Sequence, residues 1–335
     1  MFMPTISVIL PFYNAESTLD IACQSISMQS FKDFECILID NNSDDQSTLI
    51  ANKWALKDPR FKLITEAKQG VSYASSKGSL LASGKYIARM DADDIMLKSR
   101  LELQKEFLET HVDYGAVGGL VKFGGDHQKA RGIKRFIDWN NEITTYEEIA
   151  LNQFAELPVI NPTLMWRKEI EEKYGGYIHG NFPEDYELIL RWLSQKVKIG
   201  KVANEVLIWN DPPTRLTRKD NRYSFDAFYK TKAQYLSKWL RENNPNFPKV
   251  YIWGASRLAR KRAKYIEEHD IQIQGYIDIS DKREIDEKII HYKSIPSPEE
   301  AFILIYTPQK NIKKKIAKYL SDKGFLDGTH YLFAA

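Results

Sequence analysis

Cysteine is nearly absent: Cys23 and Cys36 are the only two, with no C-x-x-C and no paired-histidine spacing. A disulfide framework or structural zinc site is therefore not expected, and both thiols should pack as small apolar groups in a reducing compartment. Long apolar runs are missing too. The longest, such as residues 301–306, fall far short of the ~18 residues of a spanning helix. The opening Met1-Phe2-Met3-Pro4 has no basic segment leading into an apolar core, so a cytoplasmic location is expected. An excess of one charge is also lacking. Lys and Arg number 48 against 45 Asp and Glu, and the resulting +3 gives no reason to expect nucleic acid as a partner. What remains is an ordinary globular composition, 43% hydrophobic and 28% charged, on 335 residues that suffice for two or three domains.

The stretch YIARMDADDIMLKSR, residues 86–100, organises the rest. An apolar strand pattern, Tyr86, Ile87 and Met90, runs directly into Asp91, Asp93 and Asp94. Three carboxylates at one strand end repel unless a cation offsets them, and hard oxygen ligands favour Mg²⁺ or Mn²⁺. A solvated acidic turn before a helix starting near Ser99 is the plainer alternative.

Upstream, strand-like runs at residues 5–10, 34–40 and 61–66 alternate with helical patterns such as Leu19, Ala22, Cys23 and Ile26. Such alternation implies an α/β fold with a mostly parallel sheet, whose ligands bind beyond the carboxyl ends of the strands. Residues 11–14, 40–44 and 91–94 sit at those ends, so three polar turns should face one crevice. Pro11, Tyr13 and Asn14, on the first of these turns, are candidates for contacts with the ligand. Asp40 could accept from a base N–H or ribose hydroxyl, or could be a turn former; Asp44 and Asp45 suit helix capping.

The segments SVILPFYNAESTL, ILIDNNSDD, QGVSYASSKGSLLASGKYIARMDADD and LKSRLELQ together resemble glycosyltransferase family 2 over nearly all of the first 120 residues. The resemblance implies the GT-A fold and transfer of a sugar from a nucleotide-diphosphate donor with inversion at the anomeric carbon. It also implies that Asp40 contacts the donor base and that Asp91 and Asp93 form the DXD pair, with Asp93 the direct metal ligand and Asp94 a local hydrogen-bonding group.

Beyond the strand-like GAVGGLVKF, residues 124–141 read as a long functional loop whose Lys129, Arg131, Lys134 and Arg135 either approach phosphates or form a solvated face. In GGYIHGNFPEDYELILRWLSQ, Tyr186, Ile189 and Trp192 or Leu193 repeat at helical spacing, which puts Glu184 and Asp185 at a helix N-terminus. Carboxylates there could simply compensate the helix dipole. The pair also resembles the family's catalytic motif, which implies Asp185 as general base and Glu184 as a neighbour orienting the site; spacing alone does not choose between them. In NDPPTRLTRKDNRYS, Arg215 or Arg218 could brace a diphosphate, or the segment could be a Pro-rich linker.

These patterns divide the chain into a catalytic domain, residues 1–222, with a donor and metal half at 1–120 and an acceptor half at 121–222. A helical linker at 223–247 and a small Rossmann-like α/β domain at 248–335 follow. In WGASRLARKRA, Ser256 and Ala259 replace the second and third glycines of G-x-G-x-x-G, which argues against NAD. Packing, homo-oligomerisation or partner docking is the favoured role of this domain. The cluster Lys313 to Lys315 leaves peripheral contact with the inner face of a membrane open.

The expected activity is metal-assisted glycosyl transfer onto a glycan or lipid-linked glycan acceptor in surface polysaccharide or other glycan synthesis. Two rivals stand beside it. A sugar nucleotidyltransferase would want a Gly-rich basic loop after the first strand, which PFYNAEST does not offer; a catalytically silent nucleotide-binding scaffold would bind donor without turnover.

Overall fold

A computed structural model describes residues 3–126, 130–212, 215–218, 220–279 and 289–335. They fall into two compact units, Met1–Ile149 with Pro158–Asp220, and Ala150–Leu157 with Asn221–Ala335. No helix among the described residues is long and apolar enough to cross a membrane.

In the first unit the strands are β1 (Ile6–Phe12), β2 (Phe34–Asp40), β3 (Phe61–Thr65), β4 (Tyr86–Arg89), β5 (Ile95–Met96), β6 (Tyr114–Phe123), β7 (Met165–Arg167) and β8 (Lys198–Trp209). They make one sheet ordered β3-β2-β1-β4-β7-β6-β8-β5. The block from β3 to β4 is parallel throughout, as is the β6–β8 pair, whereas β7 and β5 run antiparallel to their neighbours. Every residue of β1 and β2 is buried, as suits parallel strands covered on both faces. The helix Leu19–Ser27 contributes Leu19, Ala22, Cys23 and Ile26 to the same core. Close approach is required on the other face, where a Cβ added to Gly78 would stand 2.8 Å from the Ile39 side chain.

Strand β1 continues through Pro11 to Phe12, past the end expected at residue 10. The ladder explains why this proline is tolerated. Ile9 directs its carbonyl toward Met90, so the backbone of Pro11, two residues on, faces the same side after β4 has ended, and its missing N–H forfeits no bond.

Residues 124–141 are not the loop expected from sequence. The helix Arg131–Glu142 occupies most of that stretch. Ile133, Phe136, Ile137 and Asn140 share its inner face, with Ile137 and Asn140 buried and Phe136 6.1 Å from the Trp209 ring. The cations that suggested a solvated loop lie on the outer face, where Lys134 pairs with Asp138 at 2.8 Å. Lys129 lies outside the described residues.

The second unit has β9 (Lys249–Trp253), β10 (Gln272–Asp278), β11 (Ile289–His291), β12 (Ile303–Ile305) and β13 (Tyr331–Phe333), ordered β11-β10-β9-β12-β13 with all pairings parallel. The helix Phe225–Asn243 belongs to this unit, as does the short stretch Ala150–Leu157.

Candidate active site

Strands β1, β2 and β4 end on one edge of the sheet, since Phe12 pairs with Asp40 and Ile9 with Arg89. The turns after them are locked together. Asn14 adopts φ 49°, donates its backbone N–H to Ser43 Oγ at 3.1 Å, and accepts from the Asp44 backbone at 2.9 Å. Asp40 is buried with both oxygens engaged, one by the Ser43 N–H at 3.0 Å and one by the Thr48 hydroxyl at 2.6 Å. Asp45 accepts from the Ser47 N–H at 2.9 Å at the start of the next helix. Pro11 is buried within β1, and Tyr13 is exposed beyond it.

After β4 the chain turns through the acidic cluster. Carboxylate oxygens of Asp91, Asp93 and Asp94 all lie within 4.8 Å of one another. Asp91 is held by the buried Arg89 guanidinium at 2.6 Å. Asp94 is buried, accepts from the Asn210 N–H at 2.9 Å through one oxygen, and has no partner for the other among the described residues. The Asn210 side chain donates to the Asp93 carbonyl at 2.7 Å, so one residue at the end of β8 fixes the turn at two points.

The electrostatics show what this turn lacks. Burial first, and then the Asp91 charge, pushes Asp93 up to about 6 despite Arg215 and Arg89. Burial also raises Asp94, again with its acidic neighbours adding to the effect. Beneath them Arg100 is buried, donating to Gln104 at 2.9 Å and to the Arg89 carbonyl at 2.8 Å; burial draws it down to about 9 while Asp94 and Asp91 oppose that fall. Even with these arginines, the carboxylates stay short of positive charge, and an orphaned oxygen faces its neighbours. A divalent cation fits such a donor set.

The helix Glu184–Ser194 opens with Glu184 and Asp185, and Asp185 lies within electrostatic reach of Asp91 on this turn. Asp185 is half-buried, and one of its oxygens accepts from the Tyr186 N–H at 2.7 Å. Burial, then Glu184, then Asp91 at longer range, raise it to about 7, so burial prevails over the N-terminal position that would favour its anion. Tyr177 is buried within electrostatic reach of both Asp91 and Asp185 and donates to Asn161 Oδ1 at 2.6 Å. The loop carrying it is tied down by Arg191, which donates to the Gly175 carbonyl at 2.8 Å, and by Trp192, which donates to the same oxygen at 2.9 Å.

Arg218 donates through Nη2 to both oxygens of Asp211 at 2.7 Å and through Nη1 to the Pro212 carbonyl at 2.7 Å. Arg215 lies 3.9 Å over the Trp209 ring and acts on Asp93 and Asp94 electrostatically. The positioning groups Arg89, Arg100, Asn161, Tyr177 and Asn210 escaped the sequence reading. Only the placement of Arg89 at the end of the short apolar strand β4 could have hinted at one of them.

Residues 7–175 match the model of glycosyl transferase family 2. The chain belongs to that family. It is 30% identical to the amylovoran biosynthesis glycosyltransferase AmsE of Erwinia amylovora over 193 residues, covering 56% of this chain and 69% of AmsE. It is 28% identical to the O-antigen biosynthesis glycosyltransferase WbnJ of Escherichia coli over 242 residues, 71% of this chain and 89% of WbnJ. Among solved structures, TarS of S. aureus in complex with UDP-GlcNAc superimposes with TM-score 0.55 at 16% identity, covering 78% of this chain and 70% of TarS. The mannosyltransferase PcManGT of Pyrobaculum calidifontis, in complex with GDP-Man and Mn²⁺, gives 0.52 at 17% identity over 71% of this chain and 64% of its own. The first unit thus has the GT-A fold, and the family 2 chain is a glycosyltransferase.

Proposed function

We propose that this family 2 glycosyltransferase moves a sugar from a nucleotide-diphosphate donor to an acceptor hydroxyl with inversion, in assembly of a surface polysaccharide. The observation that carries this reading is the approach of Asp185, raised to about 7, to the acidic turn at the end of β4. Donors of this class accompany TarS and PcManGT, and AmsE and WbnJ are named for polysaccharide biosynthesis. Residues 1–222 act as the catalytic domain, and the helix Phe225–Asn243 is part of the same unit as the Rossmann-like 248–335 rather than a free linker to it.

Asp93, with Asp91, would hold Mg²⁺ or Mn²⁺. When bound, the cation supplies Lewis-acid stabilisation of the charge growing on a departing diphosphate. Arg89 fixes the direction of Asp91, and Asn210 fixes the turn on which Asp93 sits. Asp40, Pro11, Tyr13 and Asn14 border the nucleotide, and Arg218 exchanges its Asp211 partner for phosphate oxygens. At the sugar, the bond from acceptor oxygen to anomeric carbon forms as the bond to phosphate oxygen breaks, and Asp185 takes the acceptor proton. A carboxylate near pH 7 suits that task, because it is ionised enough to accept and basic enough to retain the proton.

Asp185→Asn tests this. Transfer should fall by about 10²–10⁴-fold with nucleotide binding retained, and in the wild type kcat/KM should fall as pH drops below about 7. Undiminished turnover in the variant, measured as nucleoside diphosphate released from a panel of nucleotide sugars with Mn²⁺, would remove Asp185 from the role.

A further inference from the structure

In the second unit, three cations from three helices gather where the parallel sheet ends. Lys232, on the helix Phe225–Asn243, is buried and donates to the Ala334 carbonyl at 2.9 Å, just past β13. Its ammonium lies 4.1 Å from the centre of the Tyr229 ring, and the Arg262 guanidinium stands 4.7 Å from the same ring. Arg262 Nε is buried with no hydrogen-bond partner among the described residues. Lys313, in the first turn of the helix Lys310–Asp322 that follows β12, approaches the Phe333 ring to 5.6 Å and acts electrostatically on Lys232. The carboxylate in electrostatic reach of both lysines is Glu156, which is exposed. Like charges gathered this closely, one of them buried, are costly unless an anion joins them.

We propose that the C-terminal ends of β12 and β13 form a binding site for a phosphate-bearing small molecule, held by Lys232, Arg262 and Lys313. A phosphate suits the donors better than a single carboxylate does. An ammonium offers three N–H donors, of which the Ala334 carbonyl takes one on Lys232, and the guanidinium adds a planar set, so several acceptor oxygens are wanted at once. The helix Lys310–Asp322 starts a few residues after β12, so its N-terminus, which favours anions, lies at that same end of the sheet. The location is also where parallel sheets bind ligands, outside the strand ends where the order reverses between β9 and β12. Burial draws Lys232 down to about 7 and Lys313 to about 8, so a bound anion would restore both charges.

The site is distinct from the glycine turn after β9 and does not depend on the transfer reaction. The test is titration calorimetry on the full chain in EDTA, with inorganic phosphate and, separately, ribose 5-phosphate. Saturable binding is expected, weakened about tenfold or more by Arg262→Gln and by the half-buried Lys313→Gln, and unchanged by Arg218→Gln. Tighter binding of ribose 5-phosphate would identify an esterified ligand, and equal or tighter binding of phosphate a free one. Absence of saturable binding, unchanged affinity in Lys313→Gln with folding verified by circular dichroism, or loss in Arg218→Gln would overturn the proposal.

Discussion

Two turns in this chain follow parallel strands in the same way yet differ in chemistry. After β9, Gly254 at φ 131° leads to Ser256, whose hydroxyl caps the next helix by accepting from the Ala259 N–H at 3.2 Å, while Arg260 donates to the Ala255 carbonyl at 2.9 Å. That turn meets its own needs. After β4, three carboxylates crowd together, two of them raised by burial, and one buried oxygen of Asp94 goes without a partner. A shared topology therefore supplies two strand ends, and the difference between them lies in whether polar groups are satisfied within the chain. The unsatisfied one is the better candidate for a ligand.

The hardest test of that contrast is Asp93→Asn. Transfer should fall by about 10²–10³-fold, and the rise in melting temperature expected for the wild type with Mn²⁺ should be absent in the variant. Without metal the same change should act in the opposite direction. The folded Asp93 pKa, about 6, lies above its ordinary 3.8, so the native state keeps a proton that the unfolded chain releases between those values. Its stabilisation is whole below 3.8 and is lost as pH rises through about 6. In EDTA at pH 8 the variant should melt higher than the wild type, and the gap should close at pH 4. A variant that melts lower at both would mean the acidic turn is already satisfied, and the contrast would fail.

A smaller effect is expected at Asn210. Its alanine variant removes the side-chain bond to the Asp93 carbonyl but keeps the backbone bond to Asp94, at a cost of about 1–2 kcal/mol in denaturant melts. The Mn²⁺ concentration needed for half-maximal transfer should rise with it. A stability loss without that rise would make Asn210 a strand-end tether alone.

Asn210 also marks where sequence reading stops. The parallel block was legible because apolar runs such as ILID end in polar turns, and the helix Glu184–Ser194 because Tyr186, Ile189 and Leu193 repeat at its period. The carboxylates of the DADD turn are adjacent in the chain and announce themselves. Asn210 reaches that turn from 116 residues away, and Arg100 matters through the Arg89 carbonyl above it; neither has a local signal. Strand β5, of two residues, is set by pairing with the distant β8 rather than by its own pattern. In the helix Arg131–Glu142 the cations outweighed the periodicity of Ile133, Phe136 and Ile137. Local chemistry is readable when it is contiguous, and hidden when its partners arrive through the fold.

The mildest perturbation belongs to the satisfied turn. Ser256→Ala deletes the cap on the helix Arg257–Glu267 and should lower the stability of the second unit by about 1 kcal/mol. Because that turn already meets its own needs, glycosyl transfer should be unaffected when assayed below the melting temperature. Hydrogen exchange can localise the loss: amides in the first turn of that helix should exchange faster in the variant, while those following β4 stay at wild-type rates. Faster exchange after β4 as well would mean that the two strand ends are not independent, and their difference in satisfaction would then no longer explain why one of them should carry the chemistry.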